Sequence, residues 1–234
     1  MKPKENFTIV LEKMMMCFLA FLLFVSVAEA EIDPENITIV RDTFGVPHIF
    51  APTDAEAAYG LAYAHAEDDF DNIQRGVLAG QGRLGEVEGK DGVLFDFGLR
   101  FLKIDSLVDA RFELDLSTEY RAVLDGYVQG LNAFAEAHPK EKLHKKLFPV
   151  VSQDLVKSYT LSLSLMAGLG MALKAVNENR IQEFFGANEF SSGSNAFAVA
   201  PERMVDGNTY LLINSHQPIE GRFAWYEAHI QSDE

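Results

Sequence analysis

The chain has 234 residues, 48% hydrophobic and 24% charged, which is enough to bury the core of one domain or two small ones and too apolar for wholesale disorder. Its 35 acidic and 20 basic side chains leave a net charge of −15, which argues against a nucleic-acid binder that neutralises phosphates and against a protein held on anionic lipid. One cysteine excludes an internal disulfide and any zinc site that needs two or more cysteines.

Lys2, Lys4 and Lys13 precede an almost wholly apolar run from Met14 to Ala28, which ends in the small-residue pattern Ala28-Glu29-Ala30. A basic start, an apolar middle and a small-residue end predict a secretory signal peptide over 1–30, so the mature chain starts at about Glu31 in the periplasm or outside the cell. The run is shorter than the about 20 residues a membrane span needs, so no membrane association is expected after cleavage. Cys17 leaves with the signal, while the net charge is unchanged because three Lys and three Glu go together.

Ile37–Asp42 and Val46–Phe50, joined across Thr43-Phe44-Gly45, predict a small hairpin. Thr53, with Glu56 three residues on, predicts a capped helix start, and the alanine-rich stretch 55–66 continues it. Glycines at 76, 80, 82, 85, 89 and 92 predict short helices and turns. Phe95–Phe112 reads as one helix. Ser117 caps a long amphipathic helix with Tyr120, Leu124, Tyr127, Leu131 and Phe134 on one face, closed by Pro139. Asp154–Leu173 reads as a buried helix, its Met166, Ala167, Leu169 and Met171 as helix core, and a last helical piece reaches about Phe185.

The texture changes at Ser191-Ser192-Gly193. Ser194–Ala200 and Thr209–Ser215 read as strands around a turn at Asp206-Gly207, so a mostly helical segment gives way to a β-hairpin. Two strands alone make no stable layer, and the chain is read as cut short after Glu234.

The hairpin carries the chemistry. A serine is a weak nucleophile until a base takes its proton. Gly193-Ser194-Asn195 lacks the glycines of a G-x-S-x-G elbow. It fits another route: scission of the Gly193–Ser194 bond would give Ser194 a free α-amine, whose reference pKa of about 7.7–8.0 suits a base near neutral pH. Gly193 offers no side chain to hinder attack on its carbonyl. With the loop centred near Val205, His216 is predicted to face Ser194 or to miss it by one or two positions.

Several segments, in this order, resemble a known family. They are Arg41-Asp42-Thr43-Phe44-Gly45-Val46-Pro47-His48-Ile49, Gly60-Leu61-Ala62-Tyr63-Ala64-His65-Ala66-Glu67-Asp68, Gly82-Arg83-Leu84-Gly85-Glu86, Gly193-Ser194-Asn195-Ala196-Phe197-Ala198-Val199, Asn214-Ser215-His216 and Trp225-Tyr226-Glu227. Together they resemble the penicillin acylase family of N-terminal nucleophile hydrolases, especially its acyl-homoserine lactone acylase and aculeacin acylase branch. The resemblance implies an α+β fold, a four-layer αββα sandwich when complete. It also implies a mostly helical α chain over 31–193 and a β chain from 194, here running to 234.

By that resemblance, self-cleavage after Gly193 exposes Ser194 as nucleophile and, through its amine, base. His216 stands where the lactone acylases have an active-site histidine. Gln217 stands where a phenylalanine usually lines the acyl pocket, and the end of the α chain contributes to that pocket as well. The family's oxyanion donors lie further along the β chain than residue 234. The expected reaction is hydrolysis of N-acylated small molecules: homoserine lactones, lipopeptides or penicillins. No cofactor is expected. Some members hold a structural calcium, most of whose ligands come from further along the β chain, and no metal ligand is assigned here. The competing expectation is a secreted helical binding protein without catalysis.

Other features are read as structural. His65, Asp68, Asp69 and Asp71 could ligate a metal but read better as an acidic helix face in salt bridges; Arg83 and Arg100 are expected to pair with acidic neighbours. Gly80–Gly92 lacks the lysine motif of a phosphate-binding loop.

Overall fold

A computed structural model describes residues 31–169, 171–172, 175, 193–221 and 223–234. The expected signal peptide, Cys17, the joint at Ser191-Ser192 and, apart from the helical Ala175, the piece toward Phe185 lie outside the described residues. The chain divides into two compact units, 1–33 and 34–234. Of the first, only residues 31–33 are described, without regular structure.

The second unit begins with the expected hairpin. Strands β1 (Thr38–Arg41) and β2 (Pro47–Ala51) pair antiparallel with Ile39 opposite Ile49. The Asp42 carboxylate fixes the turn by accepting from the Phe44 and Val46 N–H groups at 2.8 and 3.0 Å, and Gly45 supplies the positive φ of 86°.

Helix α1 (Asp54–Gly80) starts at Thr53 with the predicted capping box. Thr53 Oγ1 accepts from the Glu56 N–H at 3.2 Å, and Glu56 Oε2 accepts from the Thr53 N–H at 3.1 Å. The helix runs well past the alanine-rich stretch, with one break at Asp69 (φ −147°, ψ 44°), whose carboxylate holds the Asn72 amide.

A short helix α2 (Gly85–Glu88) follows, its Leu84 and Gly85 N–H groups held by the Asp96 carboxylate. The single helix expected over Phe95–Phe112 is two, α3 (Lys90–Phe101) and α4 (Ile104–Asp115), because Lys103 takes left-handed backbone with φ 55°. Helix α5 (Thr118–Ala137) is capped at Ser117 as predicted. Its buried side carries Leu131 and Phe134, but Tyr120 is exposed, and Gly126, Val128 and Gly130 take buried positions instead.

Helix α6 (Ser152–Met166) is interrupted at Gly168, which adopts φ 99°, and residues 169 and 171–172 are helical again. Met166, Ala167 and Met171 are exposed rather than core, and Leu169 packs only partly against it. Tyr159 and Leu163 are exposed too, so the helix is not buried on all sides.

The core lies between α1, α5 and α6, with Leu78, Leu131, Leu147 and Leu161 inaccessible to solvent. Across it Phe70 stacks on Phe148 and meets Phe134 edge to face. The fully buried Gln74 is satisfied at both ends by backbone: its Nε2 donates to the Glu141 carbonyl at 3.0 Å, and its Oε1 accepts from the Leu143 N–H at 2.8 Å. It pins the 138–151 connection to α1.

The two predicted C-terminal strands form, as β3 (Asn195–Val199) and β4 (Tyr210–Asn214), antiparallel. A strand missing from the sequence reading, β5 (His229–Ser232), adds parallel to β2 and gives a sheet of order β1-β2-β5. The fold is mixed α+β, mostly helical with two small sheets, as expected.

Helices α1 and α5 touch backbone to backbone. A Cβ on Gly126 would lie 2.1 Å from the Ala55 carbonyl oxygen, and one on Gly130 would lie 2.2 Å from that of Tyr59. Gly130→Ala is therefore expected to lower stability by about 2 kcal/mol, because overpacking against rigid backbone outweighs the helix-propensity gain. At Gly98 a Cβ would meet Leu169 and Leu161 at 3.6 and 3.8 Å, ordinary contacts. Gly98→Ala should raise stability slightly. Urea-melt midpoints of the two variants check this, and equal shifts would refute the close-contact explanation.

Candidate active site

The β3–β4 hairpin owes its register to its turn. Pro201–Arg203 forms a 3-10 turn and Gly207 supplies φ 67°. Asp206 accepts from the Asn208 N–H at 3.1 Å and from the Tyr210 hydroxyl. These bonds, the Tyr210 one foremost, hold the Asp206 carboxyl below the usual carboxylate range and push the Tyr210 phenol up.

Asn195 stands opposite Asn214, so the same register continued outward sets Ser194 opposite Ser215, with His216 one position further. The side chain of His216 reaches Asn195: Asn195 Nδ2 and His216 Nε2 are 3.0 Å apart. With the amide as donor, Nε2 accepts and the ring proton sits on Nδ1. His216 thus misses Ser194 by one position, within the expected range, and is tied to the neighbouring residue. Asn195 had no role in the sequence reading. The signal was parity: His216 is two residues past Asn214, which faces Asn195.

Ser194 is exposed, and around Gly193 a Cβ would meet nothing within 4 Å, so packing does not demand glycine there. The strands enclose an open groove of about 380 Å³ lined by Asn195, Phe197, Leu211, Leu212, Ile213 and Asn214. The groove is apolar with amides at one end. Gln217 lies beyond the end of β4 and is half-buried.

A second cluster gathers three of the singled-out segments. Arg41 donates to Asp68 Oδ2 at 2.8 Å, Glu67 Oε2 at 2.9 Å, the Gly45 carbonyl at 2.9 Å and the Ala64 carbonyl at 3.3 Å. The Glu67 and Asp68 carboxylates raise the Arg41 guanidinium well above its usual range. The Tyr226 hydroxyl donates to Asp68 and lies 3.0 Å from the Ala64 carbonyl oxygen; burial first, then the Asp68 bond, pushes its phenol up. His65 stacks on Tyr226 with ring centroids 4.3 Å apart, and its Nδ1 lies 3.1 Å from the Tyr127 hydroxyl. Burial pushes the Tyr127 phenol up to about 12.

The acidic face of α1 is paired within the protein: Asp68 with Arg41 and Tyr226, Asp69 with Asn72, Asp71 with Arg75. Among the described residues no three His, Cys, Asp or Glu side chains converge as a metal site. Arg83 pairs with Glu86 as expected, at 2.8 Å. Arg100 instead donates to the Gly82 carbonyl at 3.1 Å, which steadies a turn where φ is 65°.

Comparison with known proteins bears on these same segments. The sequence profile of the penicillin amidase family matches residues 36–234. The acyl-homoserine lactone acylase PvdQ of Pseudomonas fluorescens is 25% identical over 226 residues, covering 82% of this chain and 28% of that protein. Penicillin G acylase of Escherichia coli is 36% identical over 109 residues, covering 47% of this chain and 13% of that protein. A solved structure of penicillin G acylase from Alcaligenes faecalis has a TM-score of 0.47 at 21% identity, covering 70% of this chain and 98% of that chain. The chain spans under a third of the length of the curated relatives it matches.

Burial holds the His65 imidazole below its ordinary value of 6.5, and Asp69 and Asp68 offset this only in part. Near that value the unfolded chain takes up a proton that the folded chain does not, so the contribution is fully present above pH 6.5 and is lost as pH falls through the lower folded value. The stability difference between the wild type and His65→Phe should shift against the wild type as pH falls below 6.5. Paired urea melts from pH 7.5 to 5 read it, and a pH-independent difference would sink the assignment.

Proposed function

Since the chain belongs to the penicillin amidase family, we propose that it is the amino-terminal part of an acylase precursor whose nucleophile is Ser194. The observation that carries this is the junction itself. Ser194 follows an unhindered glycine at the mouth of β3, one position out of register from a histidine held by Asn195, with an apolar groove alongside.

Maturation starts with Ser194 Oγ attacking the Gly193 carbonyl carbon. The peptide nitrogen takes the Oγ proton and leaves as the Ser194 amine, and water hydrolyses the resulting ester, freeing the Gly193 carboxylate and restoring the hydroxyl. The new terminus then acts on substrate. Its amine takes the Oγ proton, directly or through a water, while Oγ bonds to the acyl carbon. The same proton passes to the departing nitrogen, and water releases the acid from the acyl-enzyme.

His216, 3.0 Å from the Asn195 amide, orders the polar end of the groove with Asn195. Phe197 and Leu212, opposite each other in register on the face of Asn195, offer an apolar wall to an acyl chain, and Gln217 follows His216 beyond β4. Oxyanion donors come from outside the described residues.

N-acyl homoserine lactones, lipopeptides and penicillins form the substrate class, favoured by the lactone-acylase relatives. On this reading residues 1–30 are the signal, 31–193 the α chain and 194–234 the start of the β chain. The working place is the periplasm or the medium.

Intact mass and N-terminal sequencing of the product of the complete reading frame test the reading. A second piece beginning Ser194-Asn195-Ala196-Phe197, absent in Ser194→Ala, is expected, together with acid release from an N-acyl homoserine lactone. A wild-type chain that stays whole, or a cut that survives Ser194→Ala, refutes it. A whole chain that binds but does not hydrolyse would be the helical binding protein.

A further inference from the structure

Among the described residues, the hairpin that carries Ser194 and His216 has little purchase on the helical body. Among the described residues β3 and β4 pack chiefly on each other, whereas β5 packs on both β2 and α1. Their outer faces agree: Phe197, Leu211, Leu212 and Ile213 are all more than half exposed. Among the described residues, attachment of 194–234 therefore rests on the segment C-terminal to the hairpin.

That segment is bound at three points. Tyr226 enters the Arg41–Asp68 socket and stacks on His65. Strand β5 pairs parallel with β2 from His48↔His229 to Ala51↔Ser232, and the His229 ring lies against those of His48 and Phe50. At the start of α1 the Ser232 hydroxyl donates to the Asp54 carboxylate, and the Asp54 N–H donates to Glu234 Oε2 at 3.1 Å. All three contacts join positions more than 150 residues apart in the chain.

We propose that residues 223–234 form a clasp by which the Ser194-bearing segment is held on the helical body, with Tyr226 in the Arg41–Asp68 socket as its anchor. Its partner surface is the face of the chain's own α1 and β2. The consequence rests on the reading above: once the Gly193–Ser194 bond opens, no covalent link joins the two pieces, and the clasp keeps the nucleophile with the helical chain. Tyr226 and Asp68 are positioning residues.

Hydrogen exchange read by mass spectrometry on the uncut Ser194→Ala chain tests the docking without needing scission. Amides of 229–232 should be protected, and adding Tyr226→Phe or Asp68→Asn should speed their exchange about twofold to fivefold, the loss of one half-exposed hydrogen bond. Amides of 118–137 should not change. Asp115→Asn, which breaks the distant Arg111–Asp115 pair, should leave 229–232 unaffected.

In the cut wild type the two pieces should co-elute in size exclusion, and Tyr226→Phe with Asp68→Asn should make them separate at a severalfold higher concentration than the wild type. Unprotected 229–232 amides in Ser194→Ala overturn the clasp, as do unchanged exchange and retention in Tyr226→Phe with Asp68→Asn. A wild type that stays whole overturns the scission reading alone, because the exchange data still decide whether the clasp exists.

Discussion

Helix α1 meets its neighbours backbone to backbone, and the rest of the described fold is arranged around that contact. Its Ala55 and Tyr59 carbonyls lie where side chains on Gly126 and Gly130 would stand. On another side, Gly60 leaves room for Ile37 and Ile49 of the hairpin region, each 2.8 Å from where its Cβ would be. At the far end Gly80 admits the backbone of α6 at Ser158. A helix so closely held cannot rotate. Gly60, Ala64, Glu67 and Asp68 follow the i, i+4, i+7, i+8 stripe, so the side that meets the sheet also presents the carbonyl and carboxylates taken by Arg41 and Tyr226. Close packing at one face fixes the electrostatics of another.

This rigidity contrasts with the hairpin. The helices share a core, whereas β3 and β4 leave large apolar side chains in solvent. Two strands are marginal alone, and here their order comes from the Asp206 turn and from the Asn195–His216 bond. The division suits a serine whose own peptide bond is proposed to break. The serine needs a fixed address but also room for its new amine, and an open hairpin tethered at a distance provides both.

Much of this was legible in the sequence where the signal was local. The Thr53–Glu56 capping box, the Ser117 cap, the Asp42–Gly45 turn and the two C-terminal strands follow from short-range chemistry, and all formed. The break at Lys103 was hidden because a lysine in left-handed backbone carries no composition signal. The interruption after α6 could have been taken from Gly168, whose positive φ a glycine permits. Strand β5 was missed because its partner β2 lies 181 positions earlier in register, and His-Ile-Gln-Ser has no hairpin beside it to reveal it. At the site, periodicity brought His216 within one position of Ser194. It could not show that Asn195 takes the histidine, since that depends on which face of the strand each side chain leaves by.

The anchor at Asp68 shows how a surface contact can be specific without being strong alone. Asp68 Oδ2 is shared by two donors from opposite ends of the chain, Arg41 and Tyr226. The Asp68 side chain is 42% exposed, so water competes and either bond contributes modestly. Arg41 is one cation facing two carboxylates, Glu67 and Asp68, and a second cation in place of Tyr226 would complete the charge balance. A phenol does something different. It donates to Asp68 without adding charge, and its ring covers His65, which burial already keeps biased toward the neutral form. A second cation there would stand against that imidazole and offer no ring to stack on it. The socket therefore selects an aromatic hydroxyl, and its hold becomes firm only in combination with the β2–β5 ladder and the contacts at Asp54.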